Sequence, residues 1–471
     1  MKTLKVKSKW FNESNLRIDA KFHLSDGPLT RKYIENSPFP TDTIGNLSKD
    51  IFYGGRSKRV YVSEKTRGIP FMGSSDMLKI DFNSLKLISK KNTNNLNDFL
   101  LKEGWTLISR SGTIGNTAFV NKNFVDKAAS EHIIRVVPKE GVKEGFIYAY
   151  LTSKYGYSLL TQGTFGGVIQ HIEPSHVGSL IIPIIPIELQ NTIHNLILKS
   201  AGLLTQAQEL LQDNKEALLN YTKLASLTNA DYEFFGNQSS ERKTSTFKRN
   251  IKEISSISIN AFNNSAKISR LIEKVKETNK TLNLFDVLNH KKLFSTGSFP
   301  RKEVISPRSI TLINQSDIFN FPIVGKRISR RNVKADNLVT YGEVIIAGVG
   351  TLGENETFCK VLFANEELVG QLISGEFLRM QANETIPSGY LYMWLSSEYG
   401  FRFIRSTHTG TKLCRPIQKL LYDLPVPILS REQMNEIHEK VIKAYTLRYH
   451  ALLAEKEAIQ IIENEIESWQ D

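Results

Sequence analysis

The sequence predicts an α/β (α+β) protein of two similar domains with mixed, curved sheets, each followed by a long helix of coiled-coil-like pattern. Three observations predict it. The chain repeats itself in the same order, the repeated blocks alternate apolar strand-like runs with turns, and each repeat ends in a helix with apolar residues at 3.5-residue spacing. At 471 residues the chain also exceeds what a single compact core accommodates.

The repeat runs along the chain without rearrangement. LRIDAKFH (16–23) has its counterpart in SISINAF (256–262), and IPFMGSSDM (69–77) in ITLINQSDI (310–318), with Asp76 facing Asp317. GWTLISRSGTIGN (104–116) matches GEVIIAGVGTLGE (342–354), and GFIYAYLTSKYG (145–156) matches GYLYMWLSSEYG (389–400). LIIPIIPIELQNTIHNLI (180–197) matches LYDLPVPILSREQMNEIHEKVI (421–442). So long a period describes two domains, not a solenoid. It sets a first domain at 1–187, a helix at 188–228, a linker at 229–250 dominated by Ser, Thr, Lys and Arg, a second domain at 251–428 and a second helix at 429–471.

The first helical seam runs Ile193, Ile197, Ser200, Leu204, Ala207, Leu211, Asn214, Leu218 and Tyr221. The second runs Val441, Tyr445, Arg448, Leu452, Glu455, Ile459, Ile462, Ile466 and Trp469. The polar members Asn214, Arg448 and Glu455 are placed to set register between the helices. Pro186 and Pro427 stand just upstream, where proline is tolerated.

One stretch, EVIIAGVGTLGENE (343–356), contains G-x-G-x-x-G behind an apolar run, the order of a dinucleotide-binding turn. The repeat argues against that reading. The first copy reads SRSGTIG, with Arg110 where the second has Gly348, and neither copy continues into a helical pattern. The segments that follow, NTAFVNKNFV and ENETFCKVLFA, suit strands. Gly112 and Gly115, with Gly350 and Gly353, are therefore expected to turn the backbone between paired strands.

No phosphate loop, H-E-x-x-H motif or Cys/His cluster occurs, and no carboxylate pair is placed for acid–base work. No catalytic residue, cofactor or metal is expected in this chain. His194 and His438 hold equivalent places early in the two helices and are read as helix-surface or packing residues, not catalytic ones. The two cysteines, Cys359 and Cys414, fit a reducing cytoplasm. The most apolar run, LIIPIIPI, is too short and proline-broken to span a bilayer, so no membrane role is expected. A net charge of +13 favours a polyanionic partner, nucleic acid above all.

The duplicated order, the paired SRSGTIG and AGVGTLG turns and the IPIIPIELQNTIHNLI and LPVPILSREQMNEIHEKVI segments resemble the specificity subunit of type I restriction-modification systems over essentially the full length. The resemblance implies two target-recognition domains, each reading one half of a split asymmetric sequence in double-stranded DNA. It also implies antiparallel helices that separate the domains and dock a pair of adenine-methyltransferase modification subunits. Restriction subunits would join the same complex. S-adenosylmethionine, and ATP with Mg for restriction, would belong to those partners. The absence of a D/N-P-P-Y/F motif agrees with a chain that carries no methyltransferase of its own. A specificity component of a related DNA-modifying defence system and a duplicated non-catalytic scaffold fit the same residues.

Candidate DNA contacts follow from charge and position. Arg56, Lys58 and Arg59 lie in one divergent segment (56–68), and Lys326, Arg327, Arg330 and Arg331 in the other (326–337). Arginine and lysine neutralise phosphates, and arginine pairs bidentately with guanine. Gln170 and His171 in QGTFGGVIQHI, and Lys412 and Arg415 in HTGTKLCRPIQ, hold equivalent places in glycine-rich segments suited to close approach to DNA. Arg110 completes the set, without a basic counterpart at Gly348.

Overall fold

The computed structural model describes Ser8, His23 and residues 25–162, 171–228, 246–331 and 333–469. The chain divides into two compact units, Met1–Thr205 with His450–Asp471, and Gln206–Tyr449. The division passes through both long helices, so neither helix stands as a separate piece.

In the first unit, α1 (Gly27–Glu35) precedes β1 (Thr41–Thr43) and β2 (Ser48–Phe52). Then come β3 (Tyr61–Val62), β4 (Gly68–Met72), β5 (Lys86–Ser89), β6 (Thr106–Ser109), β7 (Thr117–Phe119), β8 (Ala128–Ala129) and β9 (Ile133–Pro138). One four-stranded sheet, in the order β2-β9-β6-β7, is antiparallel throughout. A second, β3-β5-β4-β8, is mixed, with β4 and β8 parallel.

Strand β6 is buried at every residue because both faces of its sheet are covered. Leu107 packs with Met72, Met77 and Leu101 of the neighbouring layer, whereas Ile108 packs with Phe146, Ile147 and Leu151 of α2 (Glu144–Thr152). Two-sided burial turns the usual alternation of a strand into a continuous apolar run. Helix α2 is apolar all round for the same reason, Gly145 to Leu151 being buried. After α3 (Lys154–Gln162), β10 (Ile181–Pro183) pairs antiparallel with β1 and leads into α4 (Ile187–Thr222).

The second unit repeats these pairings. After α5 (Ala266–Thr278) and β11 (Thr281–Asn283) come β12 (Ser309–Ile313), β13 (Lys326–Ser329), β14 (Val344–Ala347), β15 (Val361–Phe363), β16 (Leu372–Ile373) and β17 (Phe377–Met380). Strand β14 pairs antiparallel with β15 and β17, as β6 does with β7 and β9. Strand β12 pairs antiparallel with β13 and parallel with β16, as β4 does with β5 and β8. Helices α6 (Ser388–Ser396) and α7 (Glu398–Ser406) are followed by the small ladder of β18 (His408–Thr409) with β19 (Arg415–Pro416). Strand β20 (Pro425–Pro427) closes on β11 as β10 does on β1, and α8 (Arg431–Ser468) follows.

The shared G-x-x-Y-x-x-L-x-S-x-Y-G block has a packing explanation. A Cβ at Gly156 would lie 2.1 Å from Tyr150 O, and one at Gly400 would lie 2.3 Å from Trp394 O, so only glycine lets the helix pairs meet. Ser153 and Ser397 cap the second helix of each pair by accepting from Gly156 N (3.2 Å) and Gly400 N (3.1 Å). His194 and His438 accept through Nδ1 from Gly145 N (3.3 Å) and Gly389 N (3.1 Å). Burial lowers both imidazole pKa values, which preserves the neutral acceptor form. The two histidines are packing residues, as their positions predict.

The predicted seams are the buried faces of the long helices. Ile193, Ile197, Ser200, Ala207, Leu211, Asn214 and Leu218 are buried in α4. Val441, Tyr445, Arg448, Leu452, Glu455, Ile462 and Ile466 are buried in α8. Within the second unit Asn214 donates through Nδ2 to Ile437 O at 2.8 Å, a polar link at one register. Arg448 instead lies over the Tyr445 ring of its own helix, 5.0 Å from the centroid.

Glu455 accepts from the Tyr148 hydroxyl at 2.8 Å in the first unit, where burial raises its pKa to about 7. With the folded pKa above the ordinary 4.5, the folded state holds the proton more tightly. This contribution to stability is therefore present below pH 4.5 and lost as pH rises toward 7. Glu455→Gln keeps an acceptor for Tyr148 and never ionises. It should raise stability on the order of 3 kcal/mol at pH 8 and much less at pH 5. Urea unfolding at the two pH values measures this; a pH-independent difference would refute it.

Candidate nucleic-acid interface

The glycine turns lie where β6 passes to β7 and β14 to β15. Gly112 (φ 79°) and Gly115 (φ 82°) adopt left-handed backbone, and Gly115 N closes the turn onto Ser109 O at 3.0 Å. In the second unit Gly350 has φ 158°, whereas Gly353 needs no left-handed backbone and offers its carbonyl to the buried Arg405. Antiparallel pairing on both sides of each turn is hairpin geometry, without the helix that a dinucleotide turn requires.

In the second unit three segments meet at the 348–353 turn. Gln315, just beyond β12, donates to Val349 O at 2.5 Å and accepts from Val349 N at 3.3 Å. Gly350 and Cys414 exchange backbone hydrogen bonds of 3.2 and 2.7 Å, which stitches the Lys412–Arg415 loop to the turn. Lys412 and Arg415 are both exposed there.

Strand register separates the other basic residues into two places. Lys326 pairs with Leu312, at the end of β12 nearer Gln315, and its ammonium meets Glu303 at 2.7 Å. Arg327 reaches across the pair to Ser309 Oγ at 2.8 Å. Arg330 and Arg331 leave β13 beyond Ser329, which pairs with Ser309. They are exposed and lie about 13 Å along the strand direction from the Lys326 end.

The first unit shows a corresponding corner. The Ser111–His171 bridge and the Ile172 N to Arg110 O bond (3.1 Å) bring 171–172 to the glycine turn. Gln170 lies outside the described residues. Arg56 and Lys58 are exposed. Arg59 donates through Nη2 to both carboxylate oxygens of Glu131 at 2.8 Å and lies over the Phe71 ring. Burial is the largest single effect and opposes charge on both partners, but their hydrogen bond and charge attraction, with smaller neighbouring effects, together outweigh it, holding Glu131 below and Arg59 above their ordinary pKa values.

Arg110 differs from the other candidates. It is buried, paired with Glu173 and stacked over Tyr53 at 4.3 Å, so its guanidinium is engaged inside the domain. Sequence position groups Arg110 with the DNA-contact candidates; in this structure its guanidinium holds Glu173 and Tyr53.

Sequence inspection missed a second pair of arginines. Arg135 and Arg379 occupy matching ladder positions, opposite Leu107 and Ile345, and both are buried. Arg135 donates to the carbonyls of Ala129, Ser130 and Ile133, and desolvation lowers its pKa to about 10. Arg379 pairs with Glu343 and donates to Asn337 O and Leu338 O at 2.8 and 2.7 Å. The signal was present as Ser130-Glu-His-Ile-Ile-Arg135 against Ser374-Gly-Glu-Phe-Leu-Arg379.

Among the described residues no group of three or more His, Cys, Asp or Glu could hold a metal ion. No helix among them is long and apolar enough to cross a membrane.

Residues 49–212 match the family model for the type I restriction modification DNA specificity domain. No curated protein matches the chain. Among solved structures, the chain is similar to a type I restriction-modification system S subunit from M. genitalium, at 14% identity and TM-score 0.32, over 91% of this chain and 94% of that one. It is also similar to an HsdS subunit from Thermoanaerobacter tengcongensis, at 12% identity and TM-score 0.28, over 92% and 96%. A third likeness, to the type IIG restriction endonuclease BpuSI, has 12% identity and TM-score 0.28, over 40% and 30%. Residues 49–212, which run from the antiparallel sheet into the first long helix, thus carry the likeness to the type I restriction modification DNA specificity domain.

Proposed function

We propose that this chain is the DNA sequence-specificity subunit of a type I restriction-modification complex, in which two recognition domains read the two halves of a split, asymmetric target. The observation that carries the reading is duplication with divergence. The two units repeat the same strand pairings, yet their exposed basic side chains stand in unlike segments. A shared frame with different side chains suits two unlike half-sites.

In this reading 1–187 and 251–428 are the recognition domains, joined through the 188–228 helix and the 229–250 linker, and 429–471 is the second helix. Arg56, Lys58, Arg59, Gln170, His171, Lys326, Arg327, Arg330, Arg331, Lys412 and Arg415 supply phosphate and base contacts. The helices dock modification subunits, which bring the adenine methyltransferase and its S-adenosylmethionine. Restriction subunits bring ATP-dependent cleavage with Mg. The specificity chain itself contributes recognition, not catalysis.

Selection from a randomised duplex library, using the full chain with and without its modification subunits, tests the proposal. The expected result is a bipartite target of two unlike short sequences around a gap of unread bases. Enrichment of one contiguous motif, or of none, would reject it.

A further inference from the structure

The two units present the same backbone at one corner and different side chains upon it. In the first, Arg110 N donates to His132 O at 2.9 Å, Ser130 N donates to Met72 O at 2.9 Å, and Ser111 bridges His171. In the second, Gly348 N donates to Glu376 O at 3.0 Å, Ser374 N donates to Ile313 O at 3.0 Å, and the bridge to Cys414 is made one residue further along the turn, at Gly350. Ser130 and Ser374, like Arg135 and Arg379, keep their identity and hold the frame. The residues between them do not.

Ser111, Glu131 and His132 stand where the second unit has Val349, Gly375 and Glu376. Ser111 Oγ lies 2.7 Å from His132 Nδ1, and His132 Nε2 lies 3.6 Å from Glu131 Oε1. With Arg59 on Glu131, four side chains form one chain of polar contacts from the divergent 56–68 segment to the glycine turn. In the second unit no side chain fits at the position of Glu131: a Cβ on Gly375 would sit 2.4 Å from Gly297 O.

We propose that Glu131 and His132 are specificity-determining residues of the first domain, reading a base that presents an exocyclic amino group in the major groove. This inference rests on the proposed function above. A carboxylate near DNA is normally repelled by phosphates, but Arg59 supplies the compensating charge within the pair. A carboxylate has about four lone-pair sites; Arg59 takes one on each oxygen and His132 approaches Oε1, and the 15% of the Glu131 side chain that stays exposed is the face an amino donor would approach. Acceptance by Glu from cytosine N4 is an established base-edge pairing, and adenine N6 offers the same donor. Ser111 holds one ring nitrogen of His132, and the ring is 42% exposed, so its orientation is set before DNA arrives.

The test uses the full chain with its modification subunits in duplex-library selection, comparing the unsubstituted protein with Glu131→Gln and His132→Gln. Glutamine at 131 keeps the shape but both donates and accepts. The expected result is loss of preference for an amino-bearing base at one position of the first half-site, by about tenfold or more. Preference at the other positions of the first half-site should be kept, which reports that the first domain is folded, and enrichment of the second half-site should stay unchanged. If both variants select the first half-site as sharply as the unsubstituted chain, Glu131 and His132 are not readers and the proposal fails, while the proposed function stands. If the unsubstituted chain selects no sequence at all, both fail together.

Discussion

Replacing Arg379 with methionine will destabilise the second unit by about 3–5 kcal/mol, the cost of leaving its partner as an uncompensated buried charge. Both side chains of the Arg379–Glu343 pair are 1% exposed, with Nε to Oε2 at 2.7 Å and Nη2 to Oε1 at 2.8 Å. The same guanidinium satisfies Asn337 O and Leu338 O, so its removal orphans two carbonyls as well. Glu343 keeps Thr340 N and Oγ1, each at 2.7 Å, which do not neutralise a carboxylate. Adding Glu343→Gln removes the charge and retains an acceptor for Thr340. The double variant should therefore recover much of the loss. Urea unfolding followed by tryptophan fluorescence measures both, since Trp394 is buried in this unit. A single substitution costing under about 1 kcal/mol, or a double variant no better than the single, would contradict the account.

Alanine at Arg330, Arg331, Lys412 and Arg415 together will reduce DNA affinity by roughly three to four orders of magnitude at about 0.1 M salt if all four contact phosphates. Each phosphate contact contributes about 0.9 to the slope of log K against log[salt], close to one decade at that concentration. All four side chains are exposed, two on the loop stitched to the 348–353 turn and two at the far end of β13. Their removal should leave folding intact, because surface substitutions away from packing features cost little. Salt titration of binding is decisive. If all four contact phosphates the slope falls by about 3.6; if one reads a base, the slope falls less and preference relaxes at one position of the second half-site. An unchanged slope with unchanged affinity would remove these residues from the interface.

Much of the fold was legible because a duplicated sequence provides its own alignment. The matched Asp76/Asp317, Gly112/Gly350 and Gly156/Gly400 positions identified corresponding strands and turns before any coordinate, and the repeated β-pairings follow them. The helical seams were legible from a 3.5-residue period, since burial on a helix is set by local geometry. The site was less legible. Arg110 is the one cation of an otherwise uncharged, glycine-flanked stretch, yet it is buried between Glu173 and Tyr53. Sixty-three residues of chain separate it from that carboxylate, so composition held no sign of the pairing.

By itself, then, the sequence determined the duplication, the order of strands, turns and helices, and the basic character of the divergent segments. These are properties of neighbouring residues, whose periodicity and conformational preference act locally. Tertiary structure decided which cations are engaged and which face solvent. Arg135 and Arg379 are drawn inward because a mid-strand position on a sheet covered on both faces has no outlet to water. Arg59 meets Glu131 because the fold returns β8 and its following turn beside the 56–68 segment. Charge pairing across such distances depends on where the backbone places each side chain, and that is set only when the sheets close.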